Sequence, residues 1–152
     1  MPSIRLERGT SSQIITTGAT PGSATLTSGS RALSAEYDNS SGLYLFGDFE
    51  LSCTFASSPT AGQQVDLFII PCNDGTNYTD GSSSVNPAAN LLAGWFNARA
   101  VNTAQILTAR GPIGQRIELP PCKFKVCLLN DASQTISASW SLTLFPSGLK
   151  TV

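Results

Sequence analysis

Two segments near the C-terminal end constrain the fold more than anything else in this chain. In CKFKVCLLN, residues 122–130, Phe124, Val126 and Leu128 point one way while Lys123, Lys125 and Cys127 point the other. In TISASWSLTLFP, residues 135–146, Ile136, Ala138, Trp140, Leu142 and Leu144 form an apolar stripe against Ser137, Ser139, Ser141 and Thr143. A two-residue period is that of a β-strand with one face buried. The same period marks GDFELSCTFA, where Phe49, Leu51, Cys53 and Phe55 share a face, and RALSAEYD, where Leu33, Ala35 and Tyr37 do. QQVDLFIIP is apolar on both faces beyond Asp66 and predicts a central strand, or one covered on its second side. LLAGWFNARAV places Trp95 and Phe96 on opposite faces, and Gln105–Arg110 and Gln115–Leu119 fit two further strands around the Gly111-Pro112 turn.

Nowhere do apolar residues recur with helical spacing for two or more turns. PAANLLAGW allows a single helical turn after Asn86-Pro87. Seven to nine short strands at roughly even spacing, punctuated by Gly, Pro and Asn, predict an all-β sandwich or barrel. The first thirty residues differ in character: they are small, polar and rich in Gly and Pro, with only Ile14, Ile15 and Leu26 able to anchor anything. They predict an extended N-terminal arm over 1–30, with at most a short strand at Gln13–Thr17, ahead of one β-sandwich domain over 31–152. On this reading the domain folds without residues 2–20.

The chemistry the chain can perform is narrow. It contains no histidine, which removes Ser/His and Cys/His nucleophilic pairs and the commonest metal ligand together. Asp48 and Glu50 lie two apart on one strand face, an arrangement that suits a solvated surface better than an acid pair across a cleft. Cys53, Cys72, Cys122 and Cys127 do not have zinc-site spacing. Cys53 reads as a core residue, and Cys127 as a buried thiol with reactive chemistry a minor alternative beside Lys123 and Lys125. The loop Asn73–Ser84, NDGTNYTDGSSS, begins like an EF-hand, but counting from Asp74 the third, fifth, sixth and twelfth positions are Thr76, Tyr78, Thr79 and Val85. It reads as a connector built from turn residues. No cofactor is expected.

Only 12% of residues are charged, with nine Lys and Arg against ten Asp and Glu. Such a surface has no field to steer nucleic acid or an anionic membrane, and its neutral polar faces suit lasting protein contact. No apolar run reaches the length of a membrane span or a signal peptide, which predicts synthesis in the cytoplasm.

The order of these features resembles the jelly-roll head decoration, or cement, proteins of tailed phages. The resemblance rests on VDLFIIPCNDGTNYTDG, the Asn-Pro segment leading to LLAGWFNARAV, and LPPCKFKVCLLNDASQTISASWSLTLFP, and covers about residues 60–146. It implies a non-enzymatic virion protein on the capsid exterior that ties neighbouring major capsid subunits together, acting as a homodimer or homotrimer. Ile4, Arg5, Leu6, Arg8, Ile14 and Ile15 in the arm, with Lys123 and Lys125, are the candidate capsid contacts. A different reading is a carbohydrate-binding jelly-roll module of a tail fibre or spike, with Trp95, Tyr78 and Tyr44 stacking on sugar rings. A hydrolase using Asp48 and Glu50 is the third.

Overall fold

The computed structural model describes residues 4–16, 25–78 and 85–151. Among these residues eleven strands and two 3-10 turns form two antiparallel sheets packed face to face. The strands are β1 (Ile4–Arg8), β2 (Ser12–Thr16), β3 (Arg31–Leu33), β4 (Tyr37–Asp38), β5 (Phe46–Cys53), β6 (Gln64–Cys72), β7 (Leu92–Asn97), β8 (Gln105–Thr108), β9 (Ile117–Glu118), β10 (Lys123–Asn130) and β11 (Ser141–Thr151). The turns are Ala89–Leu91 and Pro112–Gly114. No helix among the described residues is long and apolar enough to cross a membrane.

The pairing is nested. β1 and β2 pair with β11, β3 and β4 with β10, β5 with β8 and β9, and β6 with β7. β5 then joins β11, and β6 joins β10. One sheet is therefore ordered β1/β2, β11, β5, β8/β9, and the other β3/β4, β10, β6, β7. A long hairpin rolled so that its paired strands divide between two sheets is a jelly roll.

Between the sheets, Phe49, Leu51 and Phe55 from one side meet Val65, Leu67, Phe96, Phe124, Val126 and Leu128 from the other, all buried. The period-2 expectation holds for β5 and for the Phe124, Val126 and Leu128 face of β10. β6 is buried on both faces because Phe68 and Ile70, with Cys127, lie under a second apolar layer of Leu33, Tyr78, Leu91 and Leu92. Trp95 and Phe96 do point apart: Phe96 is buried in the main core and Trp95 is half-exposed.

Three expectations need correction. The extended N-terminal stretch is hydrogen-bonded into the sheet over β1 and β2, and Leu26 is buried and bridges Ile136, so residues expected in an arm help build the sandwich. The stripe through residues 135–146 is not one strand: Ile136 bridges Phe55 and Ser141 pairs with Ser52, and between them extra residues that include Ser139 (φ 67°) interrupt the ladder and leave Ala138 exposed. In RALSAEYD the buried positions are Ala32 and Ser34, whereas Ala35 is exposed and Leu33 packs in the outer layer. The cause is local. Ser34 Oγ accepts from the Val126 N–H at 2.8 Å, and the chain leaves the ladder between β3 and β4.

Candidate binding surfaces

Buried amides fix the loops that shape the surface. Asn39 is fully buried; its Nδ2 donates to the carbonyls of Tyr44 (2.9 Å) and Pro120 (2.8 Å), and its Oδ1 accepts from the Tyr44 N–H (3.0 Å). Gln105 likewise ties Arg99 and Val101, and Asn130 ties Leu26 and Gln134. Each amide is buried and has its own hydrogen-bonding groups met by backbone, which pins the loop it reaches.

The Asn39 clamp has a visible result. The Leu43 N–H donates to the Asn39 carbonyl at 2.9 Å, and Leu43 sits in the left-handed region at φ 46° with its side chain 56% exposed. A β-carbon disfavours this backbone, so the surrounding bonds must hold it. Leu43 lines a depression of about 320 Å³ together with Glu7, Ser41, Gly42, Tyr44, Gly148 and Leu149. Leu149 is 62% exposed, Leu45 is also exposed, and Leu6, 53% exposed, stands directly opposite Leu149 across β1 and β11. This end of the sandwich thus presents a group of leucines. The sequence signal for it was weak, because nothing in SSGLYLF distinguishes an outward leucine from an inward one.

A second surface lies on the outer face of the six-stranded sheet. Arg8, Asp48, Glu50, Thr108, Arg110 and Phe145 line an open depression of about 350 Å³. Asp48 is paired with Arg116 at 2.9 Å and lies 3.9 Å from Arg8. Asp48 and Glu50 therefore sit on an open sheet face, with no enclosed cleft around them. A third depression, lined by residues that include Ile69, Leu92, Pro112 and Ile117, opens where β7 and β9 flank one edge of the sandwich.

The eight predicted contact residues do not form one surface. Leu6 and Arg8 are exposed on β1; Ile4 and Arg5 are on the same strand, and Ile15 is on β2, but the side chains of these three lie outside the described residues. Ile14 is corrected. The register shift between Leu142 and Thr143 leaves it without a β11 partner, and its side chain is buried in the main core, where it cannot reach another protein. Lys123 and Lys125 lie on the outer face of the other sheet. There Lys123 Nζ is 2.9 Å from Glu36 Oε1, the Tyr78 O–H donates to Glu36 Oε2, and the Lys125 ammonium lies 4.2 Å above the Tyr78 ring. The Tyr78 hydrogen bond and Lys123 lower the Glu36 pKa, and Glu36 raises that of Lys123. Both lysines are engaged within their own chain.

Of the aromatic residues named for sugar stacking, Trp95 is half-exposed on β7, while Tyr44 and Tyr78 each have close neighbours within the chain. Tyr44 is closely flanked by Gly9 and Gly42, where an added β-carbon would lie 2.5 and 2.6 Å from the ring, and Tyr78 carries Lys125. Burial pushes the thiols of Cys53 to about 12 and Cys127 to about 11, which removes thiolate chemistry from both at neutral pH. In the connector after β6, both oxygens of Asp74 are taken by its own loop: Oδ1 by the N–H groups of Thr76 (2.9 Å) and Asn77 (2.7 Å), Oδ2 by Asn77 Nδ2 (2.8 Å). These bonds hold the Asp74 pKa down to about 2. Residues 79–84 of that connector lie outside the described residues.

The chain matches no protein-family profile and no curated protein sequence. Among solved structures it is similar to the CBM36-1 domain of a multidomain xylanase from the hindgut metagenome of Trinervitermes trinervoides, at 12% identity over 93% of this chain and 96% of that one, with a TM-score of 0.49. It is also similar to a β-1,3-glucan-binding CBM6 from Bacillus halodurans, at 12% identity over 99% and 87% with a TM-score of 0.39. A third similar structure is from turnip yellow mosaic virus, at 12% identity over 100% and 83% with a TM-score of 0.34. The jelly-roll assignment rests on the strand order of this chain itself.

Proposed function

We propose that this protein is a non-catalytic attachment module of a phage head, binding the capsid exterior and cementing neighbouring major capsid subunits. The observation that carries the reading is the pair of outward leucines, Leu43 and Leu149, that share one depression, with Leu43 held in an unfavourable backbone conformation by its bond to Asn39 and the Asn39 clamp on Tyr44. A clustered apolar patch on a soluble fold supports protein contact. Weak docking becomes firm attachment when a shell repeats the same site many times and the module binds as an oligomer. The test is decoration of purified shells by the recombinant protein. Leu43→Asp and Leu149→Asp should each weaken binding at least tenfold while leaving the circular dichroism spectrum and melting point close to those of the parent. Undiminished decoration by both variants would rule the patch out.

A second reading, a carbohydrate-binding module, is favoured by one feature: the Arg8, Asp48, Glu50, Thr108, Arg110 and Phe145 depression combines an aromatic ring with charged hydrogen-bonding groups suited to hydroxyls. Glycan binding lost on Arg110→Ala and kept in Leu43→Asp would favour it over capsid attachment.

A further inference from the structure

Among the described residues β1 is an edge strand. One side is paired with β11, and no described residue pairs with the other. The ladder fixes which backbone groups face outward. The Gly9 N–H donates to the Pro146 carbonyl at 2.9 Å, continuing the register in which Arg8 stands opposite Ser147. Hydrogen-bonded pairs alternate along an antiparallel ladder, so Gly9, Glu7 and Arg5 turn their N–H and C=O groups toward β11. Ile4, Leu6 and Arg8 turn theirs away, toward whatever lies beyond the edge.

We infer that the occupant of this edge is β1 of a second copy of the chain, paired antiparallel about a two-fold axis through Leu6. In that register Leu6 meets Leu6 and Ile4 meets Arg8, and these are the residues whose backbone groups point outward. The intervening positions place Arg5 opposite Glu7 twice over, opposite charges at the closer, non-hydrogen-bonded sites of the ladder. Directly opposed residues share a face, so the pairing also builds one apolar row across the joined sheets: Leu149, Leu6, Leu6 of the second copy, Leu149 of the second copy. The two leucines left 53% and 62% exposed in one chain are the two that this row covers. The three charges of this edge, Arg5, Glu7 and Arg8, guard it against indiscriminate strand pairing, and the register above is one that sets Arg5 against Glu7. A self-complementary two-fold contact closes at two copies and exposes no further edge of the same kind.

Sedimentation equilibrium at increasing concentration tests this with the intact protein. The parent should dimerise reversibly. Leu6→Lys and Leu6→Glu each put like charges face to face at the axis and should be monomeric, with the melting point of the parent at concentrations too low for it to dimerise, because in the single chain the side chain is solvent-facing. Mixing the two variants should restore a one-to-one heterodimer. Arg5→Glu alone should weaken the dimer, and Arg5→Glu combined with Glu7→Arg should restore it. A parent that remains monomeric to its solubility limit, assembly as a trimer, a dimer indifferent to both Leu6 variants, or failure of the mixed variants to pair would overturn the inference. Leu149 belongs to both surfaces, whereas Leu43 lies outside this row, so Leu43→Asp with shells and the Leu6 variants in sedimentation separate the two ideas and either can fail while the other stands.

Discussion

At the scale of single residues, the three buried amides among the described residues, Asn39, Gln105 and Asn130, all fasten loops. Asn39 is the clearest case: a side chain with no exposed surface satisfies two carbonyls and one N–H around the turn that carries Leu43. Asn39→Ala should cost about 2–4 kcal/mol, the usual penalty for leaving several buried backbone groups unmet, read from urea denaturation. The variant should also lose the leucine presentation, so shell binding should fall with it. A stability change under about 0.5 kcal/mol, the range of ordinary surface substitutions, would show that the clamp is dispensable. None of this was visible in the amino-acid string, since Asn39-Ser40-Ser41-Gly42 reads as any polar turn. A buried amide is identified by what surrounds it, and those partners, Tyr44 and Pro120, are supplied by the tertiary fold.

At the scale of elements, the reading from sequence succeeded where packing and pattern agree and failed where they part. β5 alternates cleanly because one face meets the opposite sheet along its full length, and β10 does so except at Cys127, which the outer apolar layer buries. β1 and β2 were read as an arm because IRLER and SQIIT are short and embedded in Gly, Ser and Thr, yet backbone pairing to β11 needs no apolar pattern to hold. The alternation through TISASW misled for a different reason: Ile136 opposite Phe55 and Ser141 opposite Ser52 keep one direction along β5, but five steps of chain face three, and the extra residues, with Ser139 at a positive φ, break the strict two-residue period. Of the contact residues, Leu6 and Arg8 were placed on an accessible strand, while Ile14 went inward because the register shift is a property of the pair of strands, not of either one. Removing residues 2–16 should therefore lower stability by at least about 2–5 kcal/mol, the range for emptying one large aliphatic core site, before the lost strand pairing is added. Thermal and urea unfolding of the truncated chain beside Ile14→Ala measures both parts. A truncated protein as stable as the parent would return these strands to the status of an arm.

For the molecule as a whole, the nested pairing sets how the chain reaches its fold. Contacts that define the two sheets join residues from opposite ends of the sequence, Ile4 with Thr151 at the extreme. Closing such loops before any contact repays them is slow, so refolding should take milliseconds to seconds or longer and proceed through one cooperative transition. Stopped-flow fluorescence of Trp140, buried in the core, follows it; microsecond refolding would contradict the pairing order.

The position of β11 has a further consequence during synthesis. It is the last strand of the jelly roll to leave the ribosome, yet it lies inside the six-stranded sheet, with β1 and β2 on one side and β5 on the other. Until it emerges, those earlier strands wait with a missing neighbour between them, and the nascent chain is open to mispairing with other polypeptides. Stalling translation before Ser141 should leave a protease-sensitive, chaperone-bound chain, whereas release of the remaining residues lets the sheet zip shut in one step.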